Sequence, residues 1–151
     1  MDYELVTLNE KTVVGLCART SNRSPDMGAV IGGLWQTYYQ GGIYPQISGK
    51  KNGKALGIFS DYTGPDKSEY KVTVGCEADG SSLPQGTERM AIPAGRYAKF
   101  VVRGHVQKAV GEFWERLWTM DLPRSFVCDF EEYQDGNFEN AEIHIYISLT
   151  E

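Results

Sequence analysis

The chain contains an approximate copy of itself, and that duplication constrains its fold more than any other feature. "AVIGGLWQTYY" (Ala29–Tyr39) aligns with "KAVGEFWERLW" (Lys108–Trp118) at a shift of 79, pairing Gly32 with Gly111 and Trp35 with Trp114. Both segments space their apolar residues as a helix does, and each has a proline-marked exit, "IYPQI" and "DLPRS". "FSDYTG" then matches "FEEYQD" at a shift of 71, placing Phe59 on Phe130 and Tyr62 on Tyr133; "YKVTVG" matches "AEIHIY" at the same shift. The first half's extra loop length falls in the Gly/Lys-rich stretch after Pro45. A strand precedes each helix, "KTVVGLCART" in one half and "GRYAKFVVRG" in the other. The plan is therefore β-α-β-β, twice.

Two such units join most simply as one mainly antiparallel sheet around a pseudo-twofold axis. The expectation is an α+β fold in a single domain over residues 1–151, with repeats over about 1–77 and 88–151. Helices are expected on one sheet face and a ligand groove on the other.

The closing stretch "FVCDFEEYQDGNFENAEIHIYISLTE" sharpens this into faces. Strand alternation points Phe126, Cys128 and Phe130 one way, and Val127, Asp129, Glu131 and Tyr133 the other. In the last strand Ile143, Ile145, Ile147 and Leu149 oppose Glu142, His144, Tyr146 and Ser148. The Phe/Ile/Val/Cys side is read as the helix-covered core, with Glu132 on it. The carboxylate-and-tyrosine side is read as the groove wall.

Composition excludes several functions. With 41% hydrophobic and 23% charged residues the chain is ordinary globular material, and a net charge of −5 does not suit a phosphate-neutralising surface. No nucleic-acid partner is expected, and the basic stretch "GKKNGK" reads as a solvated loop. Cys17, Cys76 and Cys128 are odd in number, widely spaced and set in apolar strands. They read as separate buried thiols of a cytoplasmic protein. The acidic N-terminus holds no apolar signal core, and no membrane association is expected.

"IPAGRYAKF" (Ile92–Phe100), Gly104, a Trp-bearing helix, "DFEEY" (Asp129–Tyr133) and the terminal "AEIHIYISL" together resemble the GyrI-like domain, the effector-binding domain of AraC-type activators and drug-responsive regulators. "EYKVTVGCE" (Glu69–Glu77) resembles that family's central strand. The resemblance implies a two-repeat fold whose groove binds lipophilic, often cationic, small molecules without a cofactor, in a stand-alone form. It also implies two alternatives: hydrolysis of strained cyclopropane-containing compounds by a groove glutamate and aromatic residues, and inhibition of DNA gyrase as a protein partner. The family's strand glutamate falls on Glu131, with Tyr133 two residues on; Glu142 is kept in the last strand, where His144 replaces an aromatic and Tyr146 stands at a common proline position.

The candidate ligand-binding residues are accordingly Glu131, Tyr133, Tyr62, Tyr146, Trp35 and Glu142, with Glu131 and Tyr133 catalytic under the hydrolase alternative. A carboxylate among aromatic rings is poorly solvated, so it needs a protein cation, a ligand cation or a proton. Tyrosine and tryptophan rings suit cation–π contact. The two histidines, His105 and His144, sit in no nucleophile-elbow motif. Glu142 and His144, two apart on one strand, are too weak a pattern for a metal site.

Overall fold

The computed structural model describes residues 2–150. In chain order the elements are β1 (Glu4–Leu8), β2 (Lys11–Ser21), α1 (Met27–Tyr39), β3 (Ala55–Thr63), β4 (Glu69–Glu77), β5 (Thr87–Ile92), β6 (Gly95–Gly104), α2 (Val106–Leu117), β7 (Cys128–Tyr133) and β8 (Ala141–Ser148). The strands form one sheet in the order β1-β6-β8-β7-β3-β4-β2-β5, antiparallel throughout. This is the expected α+β architecture. β2-α1-β3-β4 and β6-α2-β7-β8 repeat one plan, and β3 pairs with β7 where the halves meet. Trp35 and Trp114 each occupy the ninth position of their helix. The edges are exchanged: β1 precedes β2 in sequence but pairs with β6, and β5 precedes β6 but pairs with β2.

The helices form for different reasons. α2 carries Val106, Val110, Phe113, Trp114 and Leu117 along one stripe, with Phe113 and Leu117 buried against Phe100 and the β8 isoleucines. α1 contains Gly28, Gly32 and Gly33, each a poor helix former. Its helicity rests on packing: Leu34, Trp35 and Tyr38 lie against Val14, Leu16, Val74 and Cys76. It stops at Gly41 and Gly42, the latter at φ 76°, a left-handed ending that costs glycine little.

Strand register corrects the assignment of faces. Phe130 pairs with Tyr146, and Glu131 with Ile145. Directly paired residues share a face, so the isoleucines of β8 lie beside Glu131, not beside Phe130. Both helices pack on this Glu131 face. The opposite face is not solvated either: Phe130 and Tyr146 stack there at 4.6 Å within a cluster that includes Cys128, Ile58, Leu56 and Tyr97. The central strands are therefore buried on both sides, and two apolar rows that look alike in sequence serve two different cores. Phe59 pairs with Asp129 and Phe130 with Ile58. The two phenylalanines thus face opposite ways, and the one-to-one match of Phe59 with Phe130 does not hold as a structural equivalence. A register shift between Ser60 and Thr63, with Asp61 at φ 51°, interrupts β3 just before Tyr62.

All three cysteines are free thiols. Cys76 and Cys128 are buried, but Cys17 is only half-buried, with its Sγ 3.3 Å from the Thr73 hydroxyl. Among the described residues no helix is long and apolar enough to cross a membrane.

Candidate functional site

A cavity of about 1240 Å³ lies between the two helices, over the helix-bearing face of the sheet. α1 contributes Ile31 and Trp35, α2 contributes Val110 and Trp114, and the floor includes Phe59 and Glu131. The groove thus occupies the same sheet face as the helices, contrary to the expectation from alternation. The physical reason is the duplication itself: each helix covers only its own half of the sheet, leaving a trough over the central β3–β7 pair.

Glu131 sits at the bottom of this trough, and its carboxylate is almost fully enclosed, at 5% exposure. Trp114 donates its indole N–H to Oε2 at 2.8 Å, and the Tyr133 hydroxyl donates to Oε1 at 2.7 Å. Both donors are neutral. Among the described residues Glu131 makes no ion pair. Burial raises its pKa above the usual carboxylate range, and the two hydrogen bonds offset only part of that rise. Gly57, directly opposite Glu131 in the sheet, makes room: a Cβ there would lie 3.2 Å from Oε1 and 3.3 Å from the Trp35 ring.

Aromatic rings enclose the carboxylate. Trp35 meets Tyr133 edge-on at 5.2 Å and stacks on Tyr39 at 6.1 Å, while Phe59 meets Trp114 at 5.3 Å. Tyr70 directs its hydroxyl to Asn22 at 2.7 Å, and its pKa is pushed up to about 12 by burial and by the Glu131 charge. Burial and the same carboxylate hold Tyr133 well above the usual phenol range, so both hydroxyls stay protonated as donors.

Four of the six candidate residues line the cavity: Glu131, Tyr133, Tyr62 and Trp35. Tyr146 and Glu142 do not. Tyr146 is stacked on Phe130 beneath the sheet, and Glu142 lies on that same side, bonded to His144 at 2.8 Å and paired with Arg103 at 3.3 Å. Glu132, assigned by alternation to the helix side, is also beneath the sheet, opposite His144 in register and 3.9 Å from Lys54. The displacement of Tyr146 and Glu142 follows from the register that pairs Phe130 with Tyr146, and that of Glu132 from the helices packing on the Glu131 face.

Sequence reasoning passed over three contributors. Trp114 was singled out as a partner of Trp35, yet its indole also holds the carboxylate. Asp129, fully buried, accepts from the Tyr62 hydroxyl at 2.6 Å, from the Arg124 guanidinium at 2.7 Å and from the Ser148 backbone N–H at 2.8 Å. Arg124 itself lines the cavity. Residues 41–57 and 80–86 contribute nothing to it, whereas the segments around Asn22–Gly28, Tyr62–Ser68 and Leu122–Phe126 do. Instead, Ile43 and Ile47 of the first loop are buried under α1, and Lys50 donates to the carbonyls of Tyr44 and Ile47.

Comparison with known proteins fits this geometry. Residues 4–149 match the family described as Cass2, integron-associated effector binding protein. The chain belongs to this family. The earlier resemblance to GyrI-like domains is thereby borne out for the fold and the effector-binding class. Among solved structures, the chain is similar to the integron cassette protein VCH_CASS2 from the mobile metagenome of Vibrio cholerae, with 21% identity, TM-score 0.79, and 98% of this chain and 95% of that chain covered. It is also similar to SAV2435 bound to tetraphenylphosphonium, with 24% identity, TM-score 0.80, and 99% and 94% covered. A putative transcription regulation protein from Staphylococcus aureus MU50 shows 23% identity and TM-score 0.73, with 98% and 99% covered. A search of curated proteins gave no match. As a Cass2-family protein, the chain binds a small-molecule effector, and the cavity between α1 and α2 is the candidate place for it.

Proposed function

We propose that this Cass2-family protein reversibly binds lipophilic cations in the cytoplasm, with Glu131 as the countercharge and the cavity aromatics as walls. One observation carries the reading: a buried carboxylate held by two neutral donors, with no cationic partner among the described residues, at the floor of a large aromatic cavity. An isolated buried charge is costly, and a cation arriving from outside removes that cost. The solved relative that holds tetraphenylphosphonium supports the same ligand chemistry. Each ring facing a cation contributes ~0.5–2 kcal/mol, and a hydrogen bond or ion contact to the charged carboxylate contributes ~1.5–3 kcal/mol. With apolar burial, these reach the ~8 kcal/mol of micromolar binding.

Titration with tetraphenylphosphonium and with neutral triphenylphosphine oxide, followed by tryptophan fluorescence, tests the proposal. Glu131→Gln keeps the side-chain outline and removes the charge. It should weaken the cation by about 1–3 kcal/mol and the neutral compound far less. Affinity for the cation should also fall as pH drops through the raised Glu131 pKa, because protonation discharges the carboxylate. Equal losses for the two compounds would sink the reading. Mass spectrometry of the protein mixed with a cyclopropane-containing electrophile separates the hydrolytic alternative, in which Glu131 and Tyr133 turn the strained compound into product. A gyrase-directed role would leave supercoiling inhibition intact when the cavity is filled.

A further inference from the structure

The cavity has a second polar end, built differently from the first. Arg124 lines it, its guanidinium held by two contacts and its backbone by the sheet. Its Nη2 donates to the fully buried Asp129 at 2.7 Å, and its Cζ lies 4.2 Å from the Phe126 ring centroid. Its backbone is tied to the end of β8, bridging to Leu149, while Ser125 N–H donates to Ser148 O at 3.0 Å. Asp129 is itself locked by Tyr62 and by both the N–H and the hydroxyl of Ser148. Phe126 holds a left-handed conformation at φ 56°, unfavourable for a bulky residue, and its ring also meets Tyr62 edge-on at 5.6 Å. Strain of this kind persists where surrounding contacts over-determine it, and it clusters at ligand sites.

For all this fixing, the guanidinium is not satisfied. Among the described residues its hydrogen bonding is confined to Nη2: Nε is enclosed without an acceptor, and Nη1 is left without one on a residue that lines the cavity. A buried donor left unpaired is costly and rare in a built site. Asp129 already neutralises the Arg124 charge, and Glu131 projects from the same strand face two residues on. An anion would therefore meet two carboxylates. A neutral acceptor would not.

We infer that Arg124 forms a second subsite, which takes a neutral hydrogen-bond acceptor (an amide, ketone or ether oxygen) on the same ligand whose cation rests on Glu131. The preferred ligand class is thus narrower than lipophilic cations at large: it carries a neutral acceptor as well as a positive centre. This inference rests on the cation reading of Glu131, and the experiment separates the failure of one from the failure of the other.

Two tetraphenylphosphonium derivatives make the test, one bearing a para-N,N-dimethylcarboxamide and one a para-tert-butyl group. They share charge and outline, and only the first offers an acceptor. The readout is the ratio of their dissociation constants. In the wild-type protein the carboxamide should bind more tightly, and Arg124→Met should shrink that ratio by about tenfold, the scale of one hydrogen bond to a charged donor. Because Arg124→Met strands Asp129, the paired variant Arg124→Met/Asp129→Asn removes both charges together and should show the same collapse. In wild-type protein the carboxamide, and not the tert-butyl compound, should also shift the Arg124 Nε–Hε resonance. A ratio unchanged by either variant, or a resonance that moves equally with both compounds, overturns the subsite while leaving the cation reading standing. Failure of both derivatives and of tetraphenylphosphonium itself to bind overturns the two together.

Discussion

Glu131 shows how one side chain ties stability to function. Its pKa is raised on folding because burial penalises the charge more than Trp114 and Tyr133 support it. Between the unfolded and folded pKa values the native state therefore binds more protons than the unfolded chain, so stability falls as pH rises through that window. Glu131→Gln removes the titration. Its stability should depend less on pH than the wild type's, and urea unfolding from pH 5 to 8 should show the variant gaining on the wild type as pH rises. A wild-type curve that rises over that range relative to the variant would mean the carboxylate is better solvated than its 5% exposure implies. Asp129 shows the opposite solution two residues away. It is equally buried but has Arg124, Tyr62 and Ser148 as partners, so it serves as an anchor and does not need a ligand's charge.

At the scale of elements, the helices trade stability for space. Gly32 and Gly111 are equivalent in the duplication and both line the cavity, and a Cβ at either would meet nothing within 4 Å. Glycine in a helix interior costs ~0.5–1 kcal/mol relative to alanine, and the open space at both positions shows that neither is there for steric necessity. Gly32→Ala and Gly111→Ala should each stabilise by about that amount in denaturant unfolding, while Gly111→Leu should fill the trough and weaken tetraphenylphosphonium binding. A destabilised Gly32→Ala would mean that α1 bends where it now appears regular. The glycines were visible in the sequence match, but their use as cavity-openers was not, since spacing alone does not say which helix face meets the ligand.

For the molecule as a whole, the exchanged edges decide what can fold alone. Each half's edge strand is supplied by the other: β1 closes onto β6, and β5 onto β2. Glu131 of one half also faces Gly57 and Trp35 of the other. Fragments 1–80 and 81–151 are below the size at which a lone core is comfortably stable, and each lacks an edge partner. Each should be largely unfolded by circular dichroism, and an equimolar mixture should regain sheet signal and tetraphenylphosphonium binding. A first fragment that folds cooperatively by itself would show that the repeats are independent units despite the exchange.

The family resemblance pointed to Glu131 as the candidate charge, and the edge strands β1 and β5 were not legible; the sequence by itself determined the repeated β-α-β-β order, the equivalence of Trp35 and Trp114, and the six strands of the repeats with their alternation. These are local: they depend on periodicities of two and 3.6 residues and on similarity between segments. Only the tertiary structure decided which rows share a face, because alternation divides each strand into two rows without saying how rows of neighbouring strands pair. A one-residue offset between β7 and β8 put Tyr146 and Glu142 beneath the sheet and set the isoleucines beside Glu131. Burial of the central strands on both sides hid that offset, since neither face was plainly polar. The same long-range pairing brought Trp114 onto Glu131 and Arg124 onto Asp129, contacts that no spacing along the chain could specify.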